Sequence, residues 1–182
     1  MQEIIKNTDS LMAKTIESLK RDLSGISTGR ATPTLLEVVK VESYGSMMPL
    51  NRVANISATD SSTLIVQPWD KTLTHAIEKA IQNANLGFNP QVEGLNIRVV
   101  VPRLSEERRK ELGKLAKKYG EEKKVSIRNE RKDANEAFKK MKGTVSDDQI
   151  KQSENEIQKL TDKYNAEIDK LVEEKSKALM NN

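Results

Sequence analysis

The residues best suited to a chemical role in this chain are Lys and Arg side chains between positions 105 and 142, a segment with fourteen basic and eight acidic residues. One continuous helical pattern runs through the segment, and ten of the bases fall within an arc of about 140° on an ideal helix. They are Arg109, Lys110, Lys114, Lys117, Lys124, Arg128, Arg131, Lys132, Lys139 and Lys142. A separate apolar arc is predicted about 150° away and contains Leu112, Leu115, Tyr119, Ala137 and Met141. The pattern predicts a face of about 50 Å that binds a polyanion, against the alternative of an ordinary solvated surface.

The charge of the chain is segregated along the sequence. The whole chain has a net charge of +4, whereas residues 105–142 alone carry +6 and residues 143–182 carry six bases and nine acids. This asymmetry favours docking on an anionic partner in one orientation over loose coating of nucleic acid. With one Trp, three Tyr and two Phe in 182 residues, contacts with phosphates and shape are expected rather than base stacking.

Sequence motifs for catalysis are missing. The one histidine, His75, stands near the start of a predicted helix, where a surface role is the ordinary interpretation. There is no Gly-x-x-x-x-Gly-Lys-Ser/Thr loop to bind nucleotide phosphates, and the glycines at 25, 29 and 45 form no dinucleotide-binding fingerprint. We therefore expect a protein that is not an enzyme and that uses no cofactor or metal.

Cysteine usage and hydropathy indicate where the protein works. Cysteine is absent from the sequence, which excludes disulfides and thiolate metal sites and favours a reducing compartment. No apolar run approaches 18 residues, and the chain enters an amphipathic pattern directly from Met1. We expect a cytosolic protein with no membrane partner.

Helical and strand-like patterns follow one another in an order that predicts two domains. Helices are predicted at 3–26 and 73–84, from Ser105 through the basic segment, and from a capping box at Ser146 to Gln149. Strands rich in β-branched residues are predicted at 38–42, 54–58, 63–67, 91–93 and 96–100. Gly113 and Gly120 lie inside the basic helix, where local bending or close packing is expected. The order indicates a small α/β domain inserted into a three-helix bundle.

Several unusual motifs occur in a fixed order along the chain. They are Ser27–Leu36, Tyr44-Gly45, Pro49-Leu50, Lys79–Ile81, Leu86-Gly87, Asn89-Pro90, Gly94, Ile97-Arg98, Glu106–Lys110, Val125–Asn129 and Arg131–Asn135. Together they resemble the ribosome recycling factor family over nearly the whole chain. The departures are Thr74-His75 in place of the usual Ser-Pro, Ala84 where serine is common, and Glu130 within the basic run.

The resemblance implies an α+β fold with an L-shaped, tRNA-like outline. A long antiparallel three-helix bundle is expected from residues 1–30 and 104–182, with a small β/α/β domain at 31–103 inserted after the first helix. Hinges are expected near 29–33 and 101–104, and the hinge residues are Gly29, Arg30, Ala31, Thr32, Pro33, Val101, Pro102 and Arg103.

The resemblance also implies a function in translation. Members of the family bind the large ribosomal subunit, with its 23S-type RNA, after termination. With elongation factor G and GTP they disassemble the post-termination complex and release mRNA and tRNA. The implied RNA contacts are Arg109, Arg128 and Arg131, to which the basic arc adds Lys110, Lys117, Lys124 and Lys132. A monomer in the bacterial cytoplasm is expected.

Two other functions remain open on the residues alone. A coiled-coil adaptor or chaperone would bind protein through its helices and use the charge for solubility, so its binding would depend weakly on salt. A nonspecific RNA chaperone would bind any structured RNA comparably.

Overall fold

The computed structural model describes residues 1–181, within which the chain forms four helices and six strands. The helices are α1 (Gln2–Ser24), α2 (Thr74–Asn83), α3 (Glu106–Lys139) and α4 (Asp147–Met180). The strands are β1 (Lys40–Ser43), β2 (Ser46–Pro49), β3 (Ala54–Ala58), β4 (Thr63–Pro68), β5 (Asn89–Glu93) and β6 (Asn96–Val100). Short 3-10 turns lie at Pro33–Leu36, Leu50–Arg52 and Lys71–Leu73. Asn182, the last residue of the predicted bundle, lies outside the described residues.

The chain divides into two compact units, and the predicted α+β class with a helical part and a sheet part is confirmed. The first unit comprises residues 1–26 and 107–181, and the second comprises residues 27–106. The predicted hinge residues all belong to the second unit. The hinge itself stays a prediction.

The first unit is built from α1, α3 and α4, whose apolar side chains recur at helical spacing. Its buried hydrophobic residues include Met12, Ile16, Leu19, Leu23, Ile127, Phe138, Ile157, Ile168 and Leu179. The predicted capping box begins α4, since the Ser146 hydroxyl accepts from the Gln149 amide and the Gln149 side chain accepts from the Ser146 amide, both at 3.2 Å. The Tyr164 hydroxyl donates to the Asp9 carboxylate of α1. Burial and then that hydrogen bond raise the pKa of Tyr164 to about 12.

The second unit contains a four-stranded antiparallel sheet in the order β3-β4-β6-β5. Val66 lies opposite Ile97 and Leu64 opposite Val99, so the β-branched and aliphatic residues of the two central strands share one buried face. Helix α2 contributes buried Ile77 to the same core. The remaining buried residues of this core are Ala31, Leu36, Val39, Val41, Leu50, Val53, Ala54, Ile81 and Val101.

The hairpin of β1 and β2 is a feature that the strand pattern missed. Residues 46–49, Ser-Met-Met-Pro, lack β-branched side chains. Pairing decides the conformation instead, because Tyr44 and Gly45 have φ values of 50° and 83° and turn the chain back on β1. Propensity is a weak guide where a tight turn fixes the register.

The buried face of α3 differs from the predicted apolar arc, and that prediction was wrong in position. The buried residues are Leu112, Ala116, Gly120, Ile127, Ala134 and Phe138, whereas Leu115, Tyr119, Ala137 and Met141 are half-buried. On an ideal helix the six buried residues fall within an arc of about 80° that includes the position of Arg109. The centre of this buried arc lies about 60° from the centre of the predicted one, on the side of the basic face.

Candidate nucleic-acid interface

Four of the seven predicted contact residues stand freely in solvent on α3. Lys110, Lys117, Arg128 and Lys132 are exposed. The ion pairs that α3 makes with carboxylates within residues 1–181 involve Arg108, Lys123 and Lys124 rather than any of these four. From Lys110 to Lys132 the helix rises by about 33 Å, so these unpaired cations can reach separate phosphates of a folded nucleic acid.

Two further candidates, Arg109 and Arg131, are partly buried at the edge of the helical core. The Nη1 atom of Arg131 donates to Oε1 of Gln158 on α4 at 3.1 Å, and Gln158 in turn donates to Asp162 at 2.9 Å. The Nε atom of Arg109 is shielded from solvent and has no hydrogen-bond partner within residues 1–181. The guanidinium group of Arg131 is thus held by α4, which suits a positioned contact with phosphate.

Lys124, the seventh candidate, differs from the others because carboxylates already neutralise it. Its Nζ atom lies 2.6 Å from Oδ1 of Asp169 and 3.8 Å from Oε1 of Glu121. The side chain is 26% exposed, against 66% for Asp169. The hydrogen bond to Asp169 raises the pKa of Lys124 above its ordinary value.

The partners that α4 supplies were not identified from the sequence. Asp162 and Asp169 are seven residues apart, as are Lys117, Lys124 and Arg131 on α3. Matching heptads on two antiparallel helices would have indicated that these acids and bases lie side by side. On the other side of α3, Lys123 contacts α1 through Asp22 at 3.2 Å and Ser18 at 2.9 Å.

Gly120 sets the approach of α3 to α4 beside Lys124. A Cβ atom at this position would lie 2.6 Å from Cγ2 of Val172. The predicted close packing is therefore seen at Gly120, while a Cβ at Gly113 would meet nothing within 4 Å. A narrow groove opens beside this contact, and Lys117, Lys124, Asp169, Glu173 and Ser176 are among its lining residues.

The second unit holds two of the predicted hinge residues, Ala31 and Val101, in its core. The amides of Ala31 and Val101 donate to the carbonyls of Ser61 at 2.9 Å and Ser62 at 2.7 Å, and both side chains are buried. Gly29 has a φ of 77°, and a Cβ there would lie 3.1 Å from Cγ of Leu104. The two segments that connect the units thus lie against each other at Gly29.

Groups that could perform chemistry are few. The His75 side chain is 85% exposed, with its Nδ1 3.6 Å from Oε2 of Glu78. Within residues 1–181 no cluster of three His, Cys, Asp or Glu side chains is arranged to hold a metal ion. Each helix within residues 1–181 is also too short or too polar to cross a membrane.

Comparison with known proteins shows which family has this sequence and fold. A family model described as "Ribosome recycling factor" matches residues 19–180. The chain belongs to the ribosome recycling factor family. The ribosome-recycling factor of Ralstonia pickettii (strain 12J) is 51% identical over 180 residues, which cover 98% of this chain and 97% of that protein. The ribosome-recycling factor of Clostridium perfringens (strain SM101 / Type A) is 47% identical over 182 residues, covering 99% and 98%.

Solved structures of the family share the fold. The solution structure of a ribosome recycling factor matches with a TM-score of 0.85 and 41% identity, covering 100% of this chain and 97% of that one. A second match consists of models for the T. thermophilus ribosome recycling factor and the E. coli elongation factor G bound to the E. coli post-termination complex. Its TM-score is 0.67 at 43% identity, covering 98% and 97%. The resemblance predicted from the sequence motifs is thus confirmed.

Proposed function

We propose that this chain binds the large ribosomal subunit after translation termination and, with elongation factor G and GTP, disassembles the post-termination complex. The observation that carries the proposal is that a member of the family is found in models with elongation factor G on the post-termination complex. The row of exposed cations on α3 supports it as a surface that could contact RNA. In this proposal GTP hydrolysis belongs to elongation factor G. The chain acts as a cytoplasmic monomer, is not an enzyme and uses no cofactor.

The proposed contacts with 23S-type RNA come from one side of α3. They are Arg109, Lys110, Lys117, Arg128, Arg131 and Lys132. Lysine supplies a mobile point charge, whereas the guanidinium of arginine can bind a phosphate through two parallel hydrogen bonds. The exposed members bring charge to the RNA at little structural cost, and the guanidinium group of Arg131, which is held by Gln158, fixes the register. Lys124 is not assigned a contact, because Asp169 already neutralises it.

Motion of one unit against the other is the second part of the proposal. The first unit stays anchored on RNA while elongation factor G displaces the second. Ala31 and Val101 are fixed in the core of the second unit, so compliance is placed at residues 27–30 and 102–106. Pro102 restricts the range of movement because its ring fixes φ near about −65°.

The test is cosedimentation with purified large subunits across a series of salt concentrations. Arg128→Ala and Lys132→Ala should each weaken binding by about 1–3 kcal/mol, since each removes a charged contact with RNA. Lys159→Ala, which removes an exposed lysine of α4, is the control and should bind as the parent does. Arg128 gives a cleaner test than Arg131, whose side chain also hydrogen-bonds α4.

The salt series separates the proposal from its rivals. The logarithm of the binding constant should fall with the logarithm of salt concentration by roughly 0.7–0.9 per phosphate neutralised. A flat response would favour a protein-binding adaptor. Equal affinity for large subunits and for unrelated structured RNA would favour a nonspecific RNA chaperone. Equal binding by Arg128→Ala, Lys132→Ala and the control would refute the assigned face.

A further inference from the structure

The edge of α3 that faces α4 carries two cations with partners on α4, of which Lys124 alone is neutralised by a carboxylate. Lys124 contacts Asp169 at 2.6 Å, and Arg131 contacts the neutral amide of Gln158 at 3.1 Å. On the solvent-exposed side of the same helix, Arg128 and Lys132 have no carboxylate partner within residues 1–181. The basic face thus has a free outer row and an inner edge beside the carboxylates of α4.

The outer row and the inner edge are expected to contribute differently to the binding of nonspecific RNA and of the cognate ribosomal surface. A nonspecific polyanion slides and turns on a basic surface and uses every cation that is free, so its affinity follows the number of free charges. A cognate surface is held in one register by positioned contacts, and a cation outside that register adds little to its affinity. Neutralising Lys124, which is assigned no contact with the subunit, therefore weakens nonspecific binding more than cognate binding.

We propose that Asp169 is a specificity-determining residue, which holds Lys124 in an ion pair that stays closed on the ribosome and keeps that ammonium from unrelated RNA. The inference rests on the proposed function. The geometry supports it in two ways. Lys124 is only 26% exposed, and Glu121 adds a second carboxylate at 3.8 Å, so a phosphate approaching Nζ meets two negative charges.

The packing of α3 on α4 keeps this pair in place. Gly120, one turn before Lys124, lets the helices approach so closely that a Cβ atom would lie 2.6 Å from Val172. Asp169 follows the buried Ile168 on α4, so the backbone that carries its carboxylate is fixed by the core. The ion pair is therefore a product of the helix register and not of two mobile surface chains.

The experiment measures the binding of two ligands by the full chain and by four variants of it. The ligands are a short RNA duplex of unrelated sequence and purified large ribosomal subunits. Asp169→Asn, which keeps the shape of the side chain, should tighten duplex binding by at least about threefold. It should steepen the salt dependence by roughly 0.7–0.9, the contribution of one additional cation. Its affinity for large subunits should change by less than about twofold.

Lys124→Gln and the double variant complete the cycle. Lys124→Gln should bind large subunits within about twofold of the parent, whereas Arg128→Ala should bind several-fold more weakly. The double variant Lys124→Gln with Asp169→Asn should return duplex binding to the parental level, because the released charge is then gone. Circular dichroism and thermal unfolding check that each variant is folded.

Three results would overturn the inference. They are unchanged duplex binding by Asp169→Asn, an equal gain on duplex and subunits, and a loss on subunits with Lys124→Gln as large as with Arg128→Ala. Failure of the parent chain to bind large subunits would instead refute the proposed function. The duplex measurements remain interpretable in that case, since they require no ribosome.

Discussion

Glu130 is a half-buried carboxyl group between α3 and α1. Its Oε1 accepts a hydrogen bond of 2.8 Å from the Thr15 hydroxyl, while Oε2 is buried without a partner within residues 1–181. Burial raises the pKa of Glu130 above its ordinary value of 4.5; the Thr15 hydrogen bond lowers it, and the charge of Asp133 raises it further. The charged form is therefore less favourable in the folded chain than in the unfolded chain.

We predict that Glu130→Gln stabilises the protein at neutral pH and removes part of its pH dependence. A raised pKa in the folded state destabilises the fold at pH values above that pKa. This penalty disappears as the pH falls through the raised pKa towards 4.5. Urea unfolding at neutral pH and near pH 4.5 measures the difference between variant and parent, which should be largest at neutral pH.

Thr15→Val provides the complementary variant for Glu130. Removing the hydroxyl takes away the hydrogen bond that favours the charged carboxylate, so the loss of stability between pH 4.5 and neutral pH should grow. An equal gain for Glu130→Gln at both pH values would show that lost packing or a new hydrogen bond, and not the ionisation, explains the effect.

At the scale of the element, α3 contains two interior glycines with different surroundings. Gly120 is buried against Val172 of α4, whereas Gly113 has no atom within 4 Å of a Cβ position. Glycine in a helix interior costs about 1 kcal/mol relative to alanine. The two sites therefore separate helix propensity from packing.

We predict opposite signs for the two alanine substitutions. Gly113→Ala should stabilise the protein by up to about 1 kcal/mol, because only helix propensity changes. Gly120→Ala should destabilise it by about 1–3 kcal/mol, because the new methyl group meets the branched and stiff side chain of Val172. Thermal and denaturant unfolding of both variants measure the signs. Stabilisation by Gly120→Ala would mean that α4 shifts at little cost.

At the scale of the molecule, the proposed motion depends on the two segments of chain that connect the units. Each unit has its own core, and the chain passes between them near residues 26–27 and 106–107. The sequence contains no cysteine, so spin labels can be attached at chosen positions without background. Relative motion of the units is therefore open to direct measurement.

We predict a broader distance distribution between the units than within one of them. Spin labels at Lys118→Cys and Glu37→Cys join exposed sites of the two units, while Lys118→Cys with Lys159→Cys stays within the first. Because each unit has its own core and the chain passes between them near residues 26–27 and 106–107, pulsed dipolar spectroscopy should give the broader distribution for the first pair. Equally narrow distributions would contradict the hinge and support a rigid wedge.

The sequence by itself determined the order of the helices and of every strand except β2, the family and the charge of α3. These features depend on neighbouring residues or on simple sums. Runs of β-branched residues, glycine turns and the Ser146 capping box are local patterns, and the charge of a segment is the sum of its Lys, Arg, Asp and Glu residues. The two central strands of the sheet, β4 and β6, were predicted within one residue of their bounds at Thr63–Pro68 and Asn96–Val100. The excess of basic over acidic residues on α3 likewise required no tertiary information.

Only the tertiary structure decided how the cations of α3 are partnered. A single-helix wheel placed the apolar arc wrongly because the pattern on one helix does not show which side of a broad apolar stripe faces the other helices; Ile127 and Phe138, next to Arg109 on the wheel, are buried. It also treated Lys124 and Arg128 as equivalent, although one is neutralised by Asp169 and the other is free. Asp169 lies on α4, 45 residues after Lys124 in the sequence. The contacts depend on which helix faces are in register, and only packing fixes that register.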